Sequence, residues 1–181
     1  MTLQRNDHDD GAQPAISSHA WALVSLAILL LCGAGCATAG PIQSQVLDAQ
    51  TGQPVSGAIV LGVWTKRVGL GEHHTELVGV NEVEVDAQGR FVLPRPRGHY
   101  DEERITVYKF GYVAWSNHLL FPSLKRRPEQ QVPLTIPLEL FPPAESHREH
   151  MMFIRSATSS VLFGLSDNPK FYNATYREDR M

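Results

Sequence analysis

The stretch Val46-Leu-Asp-Ala-Gln-Thr-Gly-Gln-Pro-Val-Ser-Gly-Ala-Ile-Val60 sets a dense group of turn residues between two apolar runs. Gly52 can adopt a positive φ without steric cost, and Pro54 fixes its φ and has no N–H to continue a β ladder. Residues 59–64 form a new apolar run directly after the turn, so a second strand begins at once. The stretch therefore predicts strand, turn and strand, and it carries no chemistry of its own.

Turn residues recur further along the chain and separate short β-like runs. The runs cover residues 42–47, 58–65, 76–85, 90–93, 104–110, 113–115 and 132–140. The last run contains Pro133 and Pro137, which cannot donate to a ladder, so it is predicted at a sheet edge. Short strands with turns at regular spacing are typical of a β-sandwich, here of two stacked antiparallel layers.

Composition limits the function classes. The chain of 181 residues has 16 Lys+Arg, 19 Asp+Glu, a net charge of −3 and 43% hydrophobic residues. That is enough apolar side chain for one packed domain with accessory segments, and it lacks the basic stripe of a nucleic-acid binder. The only cysteines, Cys32 and Cys36, lie near the N-terminus. A disulfide framework, a thiolate metal site and a cysteine nucleophile are therefore excluded from the body of the chain.

An export signal is predicted near the N-terminus, because residues 20–32 form an almost unbroken apolar run that small residues follow. Three outcomes remain open. The stretch Gly33-Ala-Gly-Cys36 resembles a bacterial lipobox, which implies cleavage before Cys36 and a diacylglycerol on its thiol. Cleavage after residues 37–39 would release a soluble protein, and an uncleaved segment 20–40 would be long enough to cross a bilayer.

All three outcomes place the rest of the chain outside the cytoplasm. We expect a protein of the cell envelope that is membrane-anchored and faces the periplasm, with a soluble secreted form as the alternative. The predicted parts are an N-terminal tail with the signal or anchor segment (1–39), a β-sandwich (40–141) and a C-terminal helical extension (142–181).

Three motifs in the body of the chain carry a family resemblance. They are Val46-Leu-Asp-Ala-Gln-Thr-Gly-Gln-Pro-Val-Ser-Gly-Ala58, Asp86-Ala-Gln-Gly-Arg-Phe91 and Tyr108-Lys-Phe-Gly-Tyr112. Together they resemble the carboxypeptidase regulatory-like domain. The resemblance implies an all-β fold, a single seven-stranded Greek-key β-sandwich of the prealbumin/Ig-like type, to which this chain adds a C-terminal helix. It also implies a non-catalytic module of exported bacterial proteins, with no catalytic residues to carry over.

An enzymatic family of the same general fold is the alternative. Transthyretin-like 5-hydroxyisourate hydrolases share a Val-Leu-Asp…Gly-x-Pro opening and end in Tyr-Arg-Gly-Ser. This chain offers Val46-Leu-Asp48, Pro54, Trp64 and, near its end, Tyr176-Arg-Glu-Asp179. The hydrolases place a histidine in the first strand and His-x-His in the last, whereas residues 42–46 and 132–140 contain no histidine. The resemblance to the hydrolases thus fails at the residues that the chemistry needs.

Residues 144–165 predict a C-terminal helix, with Pro143 suited to a first helical turn. Apolar residues recur at helical spacing and form one stripe, made of Met151, Ile154, Thr158, Val161, Leu162 and Leu165. We expect the stripe to cover one sheet face or an open edge. A helix that faces a partner or a membrane is the alternative.

Candidate metal ligands occur in three places. They are His147 and His150 beside Glu145 and Glu149, His73 and His74 before Glu76, and the acidic run Asp101-Glu-Glu103. The histidine pairs could hold a transition metal and the acidic run could contact Ca²⁺. Because the sequence sets no third ligand for either pair, solvated side chains are expected at all three places.

Five aromatic residues could line a sugar-binding face, although most are expected in the core: Trp64, Tyr108, Phe110, Tyr112 and Trp115. The predicted function is a non-enzymatic, envelope-associated module with a structural or binding role and no catalytic, cofactor or metal residues. Its partner is an envelope protein or glycan, with no nucleic acid, and the membrane is reached through lipidated Cys36 or the 20–40 segment. A transthyretin-like small hydrolase and histidine-based metal binding are the alternatives. An exposed apolar or aromatic patch beside the C-terminal helix would mark the binding role.

Overall fold

The computed structural model describes residues 40–69, 74–124, 131–158 and 169–181. Within them the chain is mostly β, with strands β1 (Ile42–Asp48), β2 (Ile59–Val68), β3 (His74–Glu84), β4 (Arg90–Leu93), β5 (Glu102–Tyr108), β6 (Trp115–Ser116) and β7 (Thr135–Leu138). Two helices follow, α1 (His147–Ala157) and α2 (Pro169–Thr175), and then a 3₁₀ turn (Glu178–Arg180). Each predicted β-like run overlaps one of these strands. The described residues fall within one compact unit, Ala39–Met181.

The strands form a three-stranded sheet of order β4-β1-β7 and a four-stranded sheet of order β3-β2-β5-β6. Strand β7 lies at a sheet edge, which confirms the position predicted from its prolines. All named pairings are antiparallel except β1 with β7, which run parallel with Val46 opposite Ile136. The prediction of purely antiparallel layers is wrong at this pair. Because the chain builds five other strands between β1 and β7, no hairpin dictates their relative direction.

Two of the predicted turns lie side by side at one end of the three-stranded sheet. Gly52 and Gly89 have φ of 69° and 76°, the conformation for which each turn needs glycine. The carbonyl of Gly89 accepts the N–H of Val46 at 2.6 Å. A Cβ at position 89 would lie 2.6 Å from the carbonyl oxygen of Val46, so the close approach of the turns also requires glycine.

The two sheets enclose a common apolar core, which makes the architecture sandwich-like. Both sheets contribute fully buried side chains, among them Val46, Leu93 and Ile136 from one sheet and Val60, Trp64, Ile105 and Val107 from the other. We call this the inner core. Each such side chain contributes roughly 1.5–3 kcal/mol through removal of its apolar surface from water.

The four-stranded sheet is buried on its second face as well. Seven successive residues of β2 are buried, instead of the alternation of a sheet with one wet face. Side chains from β2, β5, α1 and α2 form a separate apolar cluster there, among them Ile59, Leu61, Val63, Phe153, Ile154, Ala157 and Phe171. We call this cluster the outer core. The expected packing of the C-terminal helix on a sheet face is therefore observed for α1.

Helix α1 begins three residues later than predicted, because the side chain of Ser146 caps it by accepting the N–H of Glu149. Its buried face consists of His150, Phe153, Ile154 and Ala157. The expected stripe included Ile154 but not His150 or Phe153. The part of the predicted stripe beyond Thr158 lies outside the described residues.

Candidate functional site

The predicted lipidation site, Cys36, lies outside the described residues, as does the apolar segment up to residue 39. In the described part of the chain, none of the helices has the length and apolar character needed to cross a membrane.

A cluster of four polar side chains lies between the four-stranded sheet and the C-terminal helices, with Glu178 at its centre. Its Oε1 accepts a hydrogen bond from Nδ1 of His150 at 2.8 Å and one from Nδ1 of His147 at 2.5 Å. Its Oε2 accepts the hydroxyl of Tyr108 at 2.9 Å. His150 is 0% exposed and Glu178 only 2%. We call these four residues the Glu178 cluster; it joins β5, α1 and the 3₁₀ turn.

The protonation of His150 follows from its two partners. Its Nε2 accepts the backbone N–H of Ala114 at 2.9 Å. A backbone N–H can only donate, so Nε2 carries no proton and the proton of the neutral ring lies on Nδ1. That proton is the one donated to Glu178. Both ring nitrogens are thus engaged, and the chain just before β6 is held against α1.

The ionisation states of Glu178 and Tyr108 agree with these contacts. Burial alone would raise the pKa of Glu178, but hydrogen bonds from His150, His147 and Tyr108 outweigh it, so the pKa is lowered. Burial and the neighbouring carboxylate raise the pKa of the Tyr108 phenol. At neutral pH Glu178 is therefore an ionised acceptor and Tyr108 a protonated donor.

His147 lies at the border of the cluster, between two phenylalanine rings. Its ring centroid is 4.6 Å from that of Phe141, at an interplanar angle of 26°, and 6.1 Å from that of Phe110, at 6°. Its side chain is 28% exposed. The expectation of solvated histidines on this helix is therefore wrong for His150 and holds only in part for His147, because the helix turns that face to the sheet.

A carboxylate that orients an imidazole is also the arrangement of a general base. In this cluster, however, both nitrogens of His150 have partners, and Tyr108 donates to the carboxylate. Among the described residues, no three His, Cys, Asp or Glu side chains form a group that could hold a metal ion. The Glu178 cluster is therefore a set of polar contacts that joins β5, α1 and the 3₁₀ turn.

Glu178 was not among the predicted site residues. It is 28 residues from His150 and 70 from Tyr108, and no local pattern links them. Helical spacing could have predicted that His150 lies on the buried face. It comes four residues before Ile154 and seven before Ala157, so it shares their side of the helix.

Two of the motifs that carry the family resemblance meet at one hydrogen bond. The hydroxyl of Tyr112 donates to Oδ2 of Asp48 at 3.0 Å. Oδ1 of the same carboxylate accepts the N–H groups of Thr51 at 2.8 Å and of Gln50 at 2.9 Å. The N–H of Thr51 contributes most to the lowered pKa of Asp48, against an opposing effect of desolvation, and the bonds from Gln50 and Tyr112 add to it. These motif residues fix a turn and present no reactive group.

A second charged cluster lies at the start of β5. Arg95 forms a bidentate pair with Glu103, at 2.6 and 3.0 Å, and the indole N–H of Trp64 donates to the same carboxylate at 2.8 Å. Burial would raise the pKa of Glu103, but the bonds from Arg95 and Trp64 lower it overall. Asp101 accepts a backbone N–H at 2.7 Å. The acidic run was expected to be solvated, but Asp101 and Glu103 accept hydrogen bonds from the protein and are therefore partly structural.

The remaining described histidines are exposed, and each pairs with its own carboxylate. His74 contacts Glu76, His99 contacts Asp101 and His118 contacts Glu102. These three histidines thus have three different carboxylate partners, and His73 lies outside the described residues. The hydrolase alternative needs such side chains to converge in a pocket. The described residues bring together His147 and His150 instead.

The aromatic residues divide as expected. Trp64, Tyr108 and Trp115 are at most 1% exposed, whereas Tyr112 is half-buried and Phe110 is exposed. An open groove of about 740 Å³ crosses β1 and β4 on the three-stranded sheet. Amide, charged and apolar side chains line it, among them Gln43, Gln45, Glu84, Arg90, Val92 and Leu134.

An exposed aromatic patch lies on α2 and the turn after it. Tyr172 and Tyr176 are 67% and 45% exposed, and their ring centroids lie 6.3 Å apart. The guanidinium carbon of Arg180 lies 5.3 Å from the ring centroid of Tyr176. The opposite face of α2 is buried through Phe171 and Thr175, so the rings project from a fixed helix. We call Tyr172, Tyr176 and Arg180 the tyrosine patch.

Comparison of the chain with protein-family models, with curated proteins and with solved structures finds no match in any of the three.

Proposed function

We propose that this protein is a non-enzymatic module of the cell envelope that binds an acidic surface of another envelope protein through the tyrosine patch. The scaffold is a Greek-key β-sandwich of the carboxypeptidase regulatory-like type. The single observation that carries the binding role is the exposure of Tyr172 and Tyr176 on a helix whose other face is buried. This is the kind of patch expected beside the C-terminal helix of a binding module.

The chemistry of the patch favours a protein partner. Tyrosine and arginine are enriched at interface hot spots, because they supply large contact area and hydrogen bonds at a low entropic cost. A helix fixed by Phe171 already holds the rings in place, which reduces the ordering cost of binding. An exposed pair of large aromatic side chains beside a cation is therefore better suited to docking than to solvation.

Charge defines the partner further. Among residues 169–181 whose side chains are described, the exposed charged ones are Lys170, Arg177 and Arg180, and all three are basic. The acidic Glu178 is buried within the Glu178 cluster. Opposite charge across an interface steers association and selects partners, so an acidic surface is the complement of this face.

Site-specific photocrosslinking in the native cells tests the docking role. A benzophenone amino acid replaces Tyr172 in one variant and Val92, exposed on the three-stranded sheet, in the control. We expect one discrete protein adduct from position 172, none from position 92, and loss of the adduct when Lys170→Glu and Arg180→Glu are added. Equal adducts at both positions, an adduct unaffected by the charge reversal, or capture of glycan alone would contradict the proposed protein partner.

Anchoring through Cys36 is a separate part of the proposal and rests on the lipobox-like stretch and the apolar run before it. Intact-mass measurement of the membrane fraction tests it. The mature protein should begin at Cys36 and carry a diacylglycerol, and Cys36→Ser should abolish that mass. A mature protein that begins after residue 39 would contradict the anchor but leave the docking role open.

A further inference from the structure

The chain enters the sandwich at an end that carries several arginines. The carbonyl of Gly40 accepts a hydrogen bond from the guanidinium of Arg95, which pairs with Glu103 at the start of β5. The N–H of Asp101 donates to the carbonyl of Thr65 at 2.9 Å, so the last part of β2 lies at the same end. We call this the entry end; it comprises residues 40–42, 65–68, 74–76 and 94–103.

Two arginines of the entry end can meet an anionic partner. The described carboxylates at positions 76, 101, 102 and 103 each lie in an ion pair with a basic side chain or beside a histidine. Arg67 and Arg97 are exposed, and among the described residues neither belongs to a salt bridge. The opposite end of the sandwich, where β2 begins, exposes the carboxylates of Glu84 and Asp86 instead. An anionic surface would therefore attract the entry end and repel the other.

The proposed anchor lies close to the entry end along the chain. Three residues, 37–39, separate Cys36 from Gly40, so even a fully extended chain keeps Gly40 within about 14 Å of Cys36. The charge of a lipid surface acts over about one Debye length, roughly 8–10 Å at physiological salt. A lipid on Cys36 therefore brings the entry end to within about the distance over which the charge of the bilayer acts.

We propose that the entry end rests on the anionic surface of the membrane that holds the lipid of Cys36, with Arg67 and Arg97 facing the phosphate headgroups. This inference rests on the proposed anchor at Cys36. It does not depend on which protein the tyrosine patch binds, but it gives that patch an orientation.

The tyrosine patch lies toward the other end of the four-stranded sheet. Glu178, in the 3₁₀ turn that also contains Arg180, accepts the hydroxyl of Tyr108. Tyr108 is opposite Ile59, which is six residues from Thr65 along β2, a distance of about 20 Å in an extended strand. With the entry end on the membrane, the patch is held away from the bilayer, where a protein partner can reach it.

Fluorescence quenching in vesicles tests this orientation on the mature lipidated protein. Because lipidation blocks the thiol of Cys36 and cleavage removes Cys32, a single introduced cysteine carries the only free thiol. Thr75→Cys places a fluorophore at the entry end, and Asn173→Cys places one beside the tyrosine patch; both positions are exposed. The vesicles contain phosphatidylcholine with or without phosphatidylglycerol, and a phosphatidylcholine with a nitroxide on its headgroup quenches fluorophores near the surface.

In vesicles with phosphatidylglycerol we expect strong quenching at position 75 and little at position 173. Quenching at position 75 should fall about twofold or more without phosphatidylglycerol, in high salt, or in the double variant Arg67→Gln, Arg97→Gln, because each change weakens the attraction. The control double variant Arg90→Gln, Arg148→Gln loses the same charge from exposed sites elsewhere and should keep the quenching.

Flotation of the protein with the vesicles distinguishes the anchor from the orientation. Protein that does not float lacks the anchor, which overturns this inference as well. Protein that floats but shows equal quenching at the two positions keeps the anchor and overturns the orientation. Quenching at position 75 that is unaffected by the loss of phosphatidylglycerol and of both arginines would also overturn it.

Discussion

The two faces of the four-stranded sheet are covered by different kinds of contact. The inner core brings together strands of both sheets, and its described members are apolar. The outer core brings the sheet together with α1 and α2, and beside it lie a buried carboxylate and a buried imidazole. The inner core is stabilised mainly by the burial of apolar surface, which involves no titrating group. The outer core adds buried hydrogen bonds, which are costly to leave unmade when one partner is lost.

The comparison implies two levels of stability in one compact unit. Loss of an inner-core contact should weaken both sheets together, since each sheet closes on the other. Loss of an outer-core contact should first weaken the attachment of α1 and α2 to the sheet. Polar contacts at the surface should matter to neither level.

The largest effect is expected from Trp64→Ala. Trp64 is fully buried in the inner core and also donates to Glu103, so the change should cost about 3–5 kcal/mol of unfolding free energy for the whole domain. Chemical denaturation followed by far-UV circular dichroism measures it. Val92→Ala, at an exposed strand site, is the control and should change the unfolding free energy little. Equal losses in the two variants would contradict the importance given to burial in the inner core.

Ile154→Ala should cost about 2–5 kcal/mol, but as weaker attachment of the C-terminal segment rather than as unfolding of the sandwich. The measurement uses a single cysteine in place of Ala157, in the outer core, or of Ala58, in the inner core, in the full chain with Cys32→Ser and Cys36→Ser. The reactivity of the thiol at position 157 should rise strongly, and that at position 58 should change much less. Met152→Ala, on the exposed face of the same helix, is the matched control. Equal increases at the two thiols would mean that the outer and inner cores open as one.

Tyr108→Phe removes one donor from the buried Glu178 carboxylate while keeping the ring, so a loss of about 1–3 kcal/mol in attachment is expected. Tyr112→Phe makes the same chemical change at Asp48, a site closer to solvent, and should cost less. Denaturation midpoints and the position 157 thiol measure the pair. The interpretation fails if Tyr112→Phe proves the more damaging variant.

The smallest effect is expected from Lys66→Gln. Lys66 and Glu76 form an ion pair at 3.1 Å, but both side chains are more than 40% exposed, and water screens such pairs. The denaturation midpoint should stay within experimental error at both low and high salt. A clear salt-dependent loss of stability would show that surface charge contributes to one of the two levels.

Most of the strand pattern could be predicted, because the residues that determine each strand lie close to it in the sequence. Alternation and turn residues such as Gly52 and Pro54 act within a few residues, and every predicted run contains or overlaps a strand. The direction of β7 against β1 could not be predicted, since five other strands lie between them in the chain and no hairpin fixes their relative direction. The site was missed for the same reason: nothing near Glu178 shows that it will pair with His150. His150 was predicted to be solvated because it is polar, although its position on the helix face favours burial.

Native-state hydrogen exchange at pH 7.5, with denaturant raised in small steps, tests the central claim most directly. The claim is that α1, α2 and the 3₁₀ turn form a second layer held by the Glu178 cluster. The amides of α1 should be protected yet open before those of β2, and the Ala114 amide, which donates to His150, should open together with α1. Exchange of α1 at the rate of an unstructured peptide, or an Ala114 amide that opens only with β2, would contradict the account.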